Sequence, residues 1–149
     1  MHYAPIDVDT DQRPPSYTPW GSPERRETLA PGIVSFDTDR HGGFWLSDSR
    51  LSEMPDSLRE IVPFTGRGWY EEDEDWAIVA LAFPSLFSEK SCKAAIKTAK
   101  IAASPKAFDW LPESERKPSW PGFDLGQYLT EAPQGRQCAF RAGINPRNP

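Results

Sequence analysis

Five consecutive acidic residues, at positions 71–75, stand between aromatic residues and lead directly into the apolar segment 76–83. In that segment the residues at helical spacing form one apolar stripe, made of Trp76, Val79, Ala80 and Phe83. Ile78 and Leu81 lie outside the stripe, so the pattern predicts a helix over about residues 71–83 that is buried on more than one side. Carboxylates in its first turn would be stabilised by the positive end of the helix dipole, by roughly 0.3–1 kcal/mol each. We therefore expect an anionic turn that opens a buried helix.

A second helix is predicted over about residues 89–103, with Ser85 or Ser88 as its N-cap. Its inner stripe holds small and apolar residues, namely Cys92, Ala95, Ile96, Ala99 and Ala103. Its outer face carries Lys90, Lys93, Lys97 and Lys100. Because small residues let two helices approach closely, we expect the two helices to pack as a central antiparallel pair.

A β-hairpin is predicted between the segments 33–36 and 44–46, with the glycine pair 42–43 in the connection. Upstream, the Ser-Pro-Glu sequence at 22–24 is typical of a helix start, with serine as N-cap and proline at the first helical position. The Pro-Gly pair at 31–32 would end that helix.

Shorter helices are predicted in three other places, at about residues 48–53 behind Ser47, at 55–62 and at 124–131. One more helical turn is expected around Phe108 and Leu111. Together these elements predict a small α+β single domain with a β-hairpin, a central antiparallel helix pair and irregular aromatic-rich segments.

The single globular domain is predicted to span residues 18–132. Residues 1–17 show no periodicity and are expected to form a flexible leader. Residues 133–149 carry three arginines and no acid, so we expect a flexible basic tail there.

Composition limits the classes of function. The formal net charge of −5 argues against general duplex binding, because that binding needs a basic footprint. The longest apolar run, at 76–83, is too short to cross a bilayer, and no secretory signal is visible. We therefore expect a cytoplasmic protein that binds neither nucleic acid nor membranes directly. The two cysteines, Cys92 and Cys138, are interpreted as reduced thiols, with a single bridge between them left open.

The strongest catalytic candidate is His41, followed by Gly42 and Gly43. A neutral imidazole can act as a general base, and Glu71 or Glu72 can orient it or join it in a site for a hard metal ion. The alternative is a turn histidine that hydrogen-bonds the backbone. No phosphate loop, nucleophile elbow or zinc-protease motif accompanies it, so we expect neither a cofactor nor a metal.

Candidate partner-binding residues are the acidic run and the aromatic residues near it. They are Trp20, Trp69, Tyr70, Glu71, Glu72, Asp73, Glu74 and Asp75. The tryptophans on loops rich in glycine and proline, Trp20, Trp69 and Trp120, are candidates for an exposed contact surface. The alternative for the acids is that they only cap a solvated helical turn. A homo-oligomer that uses the loop tryptophans is a further alternative.

Three stretches read together resemble a known family: TPWG at 18–21, APGIVSFDTDRHGGFWLS at 30–47 and WYEEDEDWA at 69–77. They resemble a bacterial domain family of unknown function, found chiefly in proteins of proteobacterial plasmids, phages and related mobile elements. The resemblance covers about residues 18–87. The family has no established reaction, so the resemblance implies a genomic setting rather than a mechanism.

These observations favour a small acidic binding protein of a mobile element, without enzymatic activity, that inhibits a host defence protein or a nucleic-acid-handling protein. Its partner would be a host or bacterial protein with a basic surface, such as a nuclease or a CRISPR-type complex, on which carboxylates replace nucleic-acid phosphates. The alternative is an enzyme that uses His41 with Glu71 and Glu72.

Overall fold

The structure, a computed structural model, describes residues 12–106 and 110–131. Most of the predicted leader and the whole predicted tail lie outside these residues, as do Phe108 and Cys138. Within the predicted leader, Gln12 accepts a hydrogen bond from the Ser47 hydroxyl through its side-chain oxygen. The described residues form the small α+β domain that the sequence predicts.

A four-stranded antiparallel sheet forms one layer, with the strands in the order β1-β2-β3-β4. The strands are β1 (Arg25–Ala30), β2 (Ile33–Asp37), β3 (Gly42–Leu46) and β4 (Trp69–Glu71). The predicted hairpin is confirmed as β2 and β3, which pair from Ile33 opposite Leu46 to Asp37 opposite Gly42.

Strand β1 shows that the helix predicted after Ser22 is wrong. The segment instead pairs with β2, and Arg25 lies opposite Asp37. A capping pattern includes only neighbours in sequence, whereas a strand takes its hydrogen bonds from a partner further along the chain. The turn between β1 and β2 passes through Gly32, whose φ of 82° a glycine adopts without steric cost.

The α-helices of the described residues share one hydrophobic core with one face of the sheet. They are α1 (Asp48–Glu53), α2 (Asp56–Arg59), α3 (Trp76–Ala82), α4 (Glu89–Ala102) and α5 (Leu125–Glu131). Two 3₁₀ turns lie at Pro84–Leu86 and Glu113–Glu115. Two predicted caps are confirmed: Ser47 accepts from the Arg50 N–H, and Ser88 accepts from the Ser91 N–H.

Helices α3 and α4 pack against each other at the centre of the core, which confirms the predicted helix pair. Every residue of α3 after Trp76 is buried. Helix α4 buries its small inner residues, Cys92, Ala95, Ala99 and Ala102. Its four lysines are exposed, as the sequence predicts.

The predicted start of the main helix is wrong by one turn or more. Glu71 ends strand β4, residues 72–75 form a turn, and α3 begins only at Trp76. The pairing of β4 with β3 places Gly43 opposite Glu71 and so extends the strand into the acidic run. The acids therefore precede the helix instead of forming its first turn.

Both faces of the sheet carry apolar side chains. Successive residues of a strand point to opposite faces, so apolar residues at neighbouring positions contribute to two separate clusters. The face toward the helices contributes Ile33, Leu46 and Tyr70 to the main core. The other face forms a smaller cluster of Val34, Phe36 and Trp45, with Trp20 and Trp69 packed against it. The aromatic-rich segment around Trp20 thus covers part of the second face.

Candidate functional site

A cleft of about 590 Å³ gathers six of the predicted site residues. They are Trp20, His41, Glu71, Asp73, Glu74 and Asp75. The loop after α2 contributes Val62, Phe64 and Thr65 to the same cleft, and Lys106 and Ser119 complete its lining. Glu72 lies outside and borders a smaller cavity beside Ser35. The fold thus brings the histidine and most of the acids to one place.

His41 lies in the turn between β2 and β3. Its carbonyl accepts hydrogen bonds from the N–H and the hydroxyl of Thr38, both at 2.8 Å, and its N–H donates to that hydroxyl at 3.1 Å. The side chain is exposed, and no carboxylate of the described residues forms an ion pair with it. No group of three metal-binding side chains occurs in the described part of the chain. His41 thus lies in a turn, and these hydrogen bonds are made by its main-chain groups.

The glycine pair beside His41 is explained by packing. A Cβ atom on Gly43 would collide with the Tyr70 carbonyl oxygen and would lie 2.6 Å from a ring carbon of Trp20. A Cβ atom on Gly42 would lie 2.8 Å from the Phe36 carbonyl oxygen. Glycine is therefore required at both positions so that the neighbouring backbone and the Trp20 indole can approach closely. This packing explains the glycine pair without a bound ligand.

Glu71 closes the acidic turn with its own side chain. One carboxylate oxygen accepts from the N–H groups of Glu74 and Asp75, at 2.7 and 3.0 Å, and the other accepts from Asp73 N–H at 2.6 Å. Three donors therefore occupy the group that the sequence offers as an orienting acid. Glu71 therefore closes a turn that lies ahead of α3, whereas the sequence alternative placed the acids as caps on a helical turn.

Asp75 is buried, with 5% of its surface exposed, and it joins three segments. One oxygen accepts from the Trp120 indole N–H at 3.0 Å, and the other accepts from the Phe64 backbone N–H at 3.1 Å. Burial raises the pKa of Asp75, the hydrogen bonds from Trp120 and Phe64 oppose that rise, and the nearby Glu71 charge adds to it. Asp75 therefore lines the cleft from a buried position, and hydrogen bonds within the fold occupy both of its carboxylate oxygens.

The acids between these two point outward. Glu72 and Asp73 are exposed, and Glu74 is half-buried at the cleft. Within the described residues none of the three forms an ion pair. The acidic run thus divides into two residues that hydrogen-bond inward and three whose charges remain available at the surface.

The predicted aromatic contacts divide in a similar way. Tyr70 is buried among the core residues, its hydroxyl lies 4.0 Å from the Met54 sulfur, and burial raises its pKa to about 12. Trp120 is buried as well, so its interpretation as an exposed contact residue is wrong. The reason is that its indole N–H has a buried acceptor in Asp75. Trp20 and Trp69 are half-buried and stack edge to face, with ring centroids 5.7 Å apart.

Val62 and Phe64 are site residues that the sequence interpretation missed. Their exposed fractions are 81% and 94%, and both line the cleft. The predicted helix over 55–62 included Val62, but α2 ends at Arg59. Pro63 between the two apolar residues was the available signal, since proline interrupts a helix and places its neighbours in a loop.

No helix in the described ranges combines the length and the apolar character that crossing a membrane requires.

A search of curated proteins finds no match, and a search of solved structures finds none either. The family model for a domain of unknown function, DUF7007, matches residues 13–119, a range that contains every residue of the cleft. The chain therefore belongs to the family of the domain of unknown function DUF7007.

Proposed function

We propose that this protein is a small acidic binding protein of a phage or plasmid, acting in the bacterial cytoplasm as a non-enzymatic inhibitor of a defence protein or a nucleic-acid-handling protein. The partner presents a basic surface that ordinarily contacts nucleic-acid phosphates. The genomic setting rests on the resemblance of the motifs at 18–21, 30–47 and 69–77 to proteins of mobile elements.

The observation that carries the proposal is the outward half of the acidic turn. Glu72, Asp73 and Glu74 are consecutive, form no ion pair within the described residues, and lie on a turn that Glu71 holds closed. Adjacent like charges repel each other, and a cationic partner relieves that repulsion. A fixed array of carboxylates is also the chemistry that competes with phosphates for arginine and lysine.

A charge-reversal pair tests this proposal. Tagged full-length protein is used to capture partners from a proteobacterial lysate, alongside Asp73→Lys/Glu74→Lys. The matched control is Glu113→Lys/Glu115→Lys, which changes net charge equally at two exposed acids outside the cleft. We expect the wild type and the control to retain the same basic partner and the cleft variant to lose it. Raising the salt from about 0.1 to 1 M should weaken the interaction, because the Debye length falls from roughly 10 to 3 Å.

The inhibitory part needs its own measurement. The captured partner is purified, and its nucleic-acid binding or cleavage is assayed with increasing amounts of each variant. Stoichiometric loss of that activity with wild type and control, but not with Asp73→Lys/Glu74→Lys, is the expected result. Equal capture by all three proteins would reject the acidic surface, and capture without loss of activity would reject inhibition.

A further inference from the structure

The loop between α2 and β4 alternates between buried and exposed apolar residues. Ile61 and Pro63 are buried, whereas Val62 and Phe64 project outward. The Phe64 ring is 94% exposed and makes almost no use of its apolar surface within the described structure. Single exposed apolar residues are common on protein surfaces, whereas two that line the same cleft are typical of an interaction surface. Val62 and Phe64 are called the Phe64 patch below.

The backbone under the patch is held in place. The Phe64 N–H donates to the buried Asp75 carboxylate, and the Thr65 hydroxyl donates to the Trp69 carbonyl at 2.8 Å. The Gly66 N–H closes a turn onto the Pro63 carbonyl at 3.1 Å. The ring is therefore presented by an ordered loop, so binding through it loses less conformational entropy than binding through a mobile one.

The charge around the patch restricts its occupant. Asp73 and Glu74 line the same cleft as the Phe64 patch, and Lys106 is the cationic residue among the described lining. Carboxylates repel nucleic acid and anionic lipid surfaces. A second copy of this chain that docked through the same cleft would bring Asp73 and Glu74 against their own counterparts. A cationic protein segment is the occupant that complements both the charge and the apolar edge.

We infer that the Phe64 patch docks a segment of a protein partner in which an aliphatic side chain stands between arginines or lysines. The aliphatic side chain packs on Val62 and Phe64, and the flanking cations reach Asp73 and Glu74. This inference rests on the proposed function and deepens it. Recognition then depends on a central apolar contact surrounded by ion pairs. In such interfaces a few buried central side chains contribute most of the binding energy.

Defined peptides test the inference with the full chain. The probes are three blocked pentapeptides with glycine at both ends and a central arginine-leucine-arginine, arginine-serine-arginine or glutamate-leucine-glutamate. Binding is followed by the amide signals of isotope-labelled protein. We expect the arginine-leucine-arginine peptide to shift Phe64 and Glu74, serine in place of leucine to weaken binding about fivefold or more, and the glutamate peptide not to bind.

Protein variants separate the apolar contact from the charges. Val62→Ser/Phe64→Ser should lose the preference for leucine over serine and keep a weak, salt-sensitive affinity for both arginine peptides. Ile101→Ser changes an exposed aliphatic residue on α4 outside the cleft and should bind like the wild type. Because the altered side chains are exposed, all variants are expected to fold.

Three outcomes would overturn the inference. Equal binding of the leucine and serine peptides to the wild type would show that charge alone acts, and the proposed function would stand without the patch. No shift at Phe64 with any peptide would remove the docking site. Sedimentation that shows self-association of the wild type, abolished in Val62→Ser/Phe64→Ser, would make a second copy the occupant.

Discussion

One buried carboxylate holds two aromatic residues that end in opposite environments. Asp75 accepts from the Trp120 indole N–H, and that ring is buried. The same carboxylate accepts from the Phe64 backbone N–H, and that ring is almost fully exposed. Both segments are hydrogen-bonded to Asp75, Trp120 through its side chain and Phe64 through its backbone.

The difference shows how one buried carboxylate can both stabilise the core and fix the backbone of an exposed aromatic residue. To donate its ring N–H, Trp120 must bring its ring into the core, where it also packs edge to face with Phe123 at 5.7 Å. Phe64 donates from the main chain, so its backbone is fixed while its side chain points away. The Trp120 contact should therefore dominate folding, and the Phe64 contact should dominate binding.

The largest effect is expected from Trp120→Ala. Removing this buried ring should lower the free energy of unfolding by about 3–5 kcal/mol, because it leaves a cavity and one Asp75 oxygen without its donor. Phe64→Ala is the matched comparison and should change it by no more than about 0.5 kcal/mol. Urea unfolding measures both variants. Similar losses in the two proteins would contradict the division of roles.

The second effect concerns the shared anchor. Asp75→Ala leaves two donors without their acceptor but removes a buried charge, so we expect unfolding to become easier by about 2 kcal/mol. Hydrogen exchange should then show faster exchange of the Phe64 amide. Asp75→Asn keeps one acceptor and should lose less. If the Phe64 amide stays protected in Asp75→Ala, the carboxylate does not hold the loop.

A smaller effect should separate neighbours within the acidic run. Glu71→Ala removes the acceptor of three backbone N–H groups and should cost about 1 kcal/mol, the usual effect of losing a side-chain cap. Glu72→Ala alters an exposed acid and should change stability by less than about 0.5 kcal/mol. Thermal unfolding of the two variants gives the comparison. Equal values would mean that the inward and outward acids do not differ in role.

The smallest effect is a pH dependence. Burial raises the folded-state pKa of Asp75 above its usual 3.8, so the folded protein holds this proton more tightly than the unfolded chain. The stabilising contribution of the proton is complete below 3.8 and is lost as the pH rises through the folded-state pKa. The stability of the wild type relative to Asp75→Asn should therefore fall over that range in urea titrations at several pH values. A constant or rising difference would contradict a raised pKa.

The elements that depend on near neighbours could be predicted. The β2–β3 hairpin follows from apolar strand segments joined through a glycine pair, and α4 follows from a stripe of small residues opposite four lysines. The serine caps at Ser47 and Ser88 are equally local. The sequence interpretation joined His41 with Glu71 or Glu72; the cleft contains His41 and Glu71 but not Glu72, and the catalytic role stays a prediction.

The elements that depend on distant partners were predicted poorly. Strand β1 carries a local helix signal but takes its hydrogen bonds from β2. Trp120 lies on a loop rich in proline and glycine, and its burial depends on an acceptor 45 residues away. The Phe64 backbone is held by the same carboxylate, which lies 11 residues further along the chain, and the side chain that this backbone carries is exposed.

By itself the sequence determined the α+β class, the hairpin, the helix pair and a concentrated negative charge beside aromatic residues, because these depend on spacing along the chain. Only the tertiary structure decided which carboxylates are consumed by hydrogen bonds and which remain at the surface. It also decided that Trp120 turns inward and Phe64 outward. The physical reason is that a buried hydrogen-bonding group must be satisfied by whatever donor the fold brings to it, and that donor is set by long-range packing.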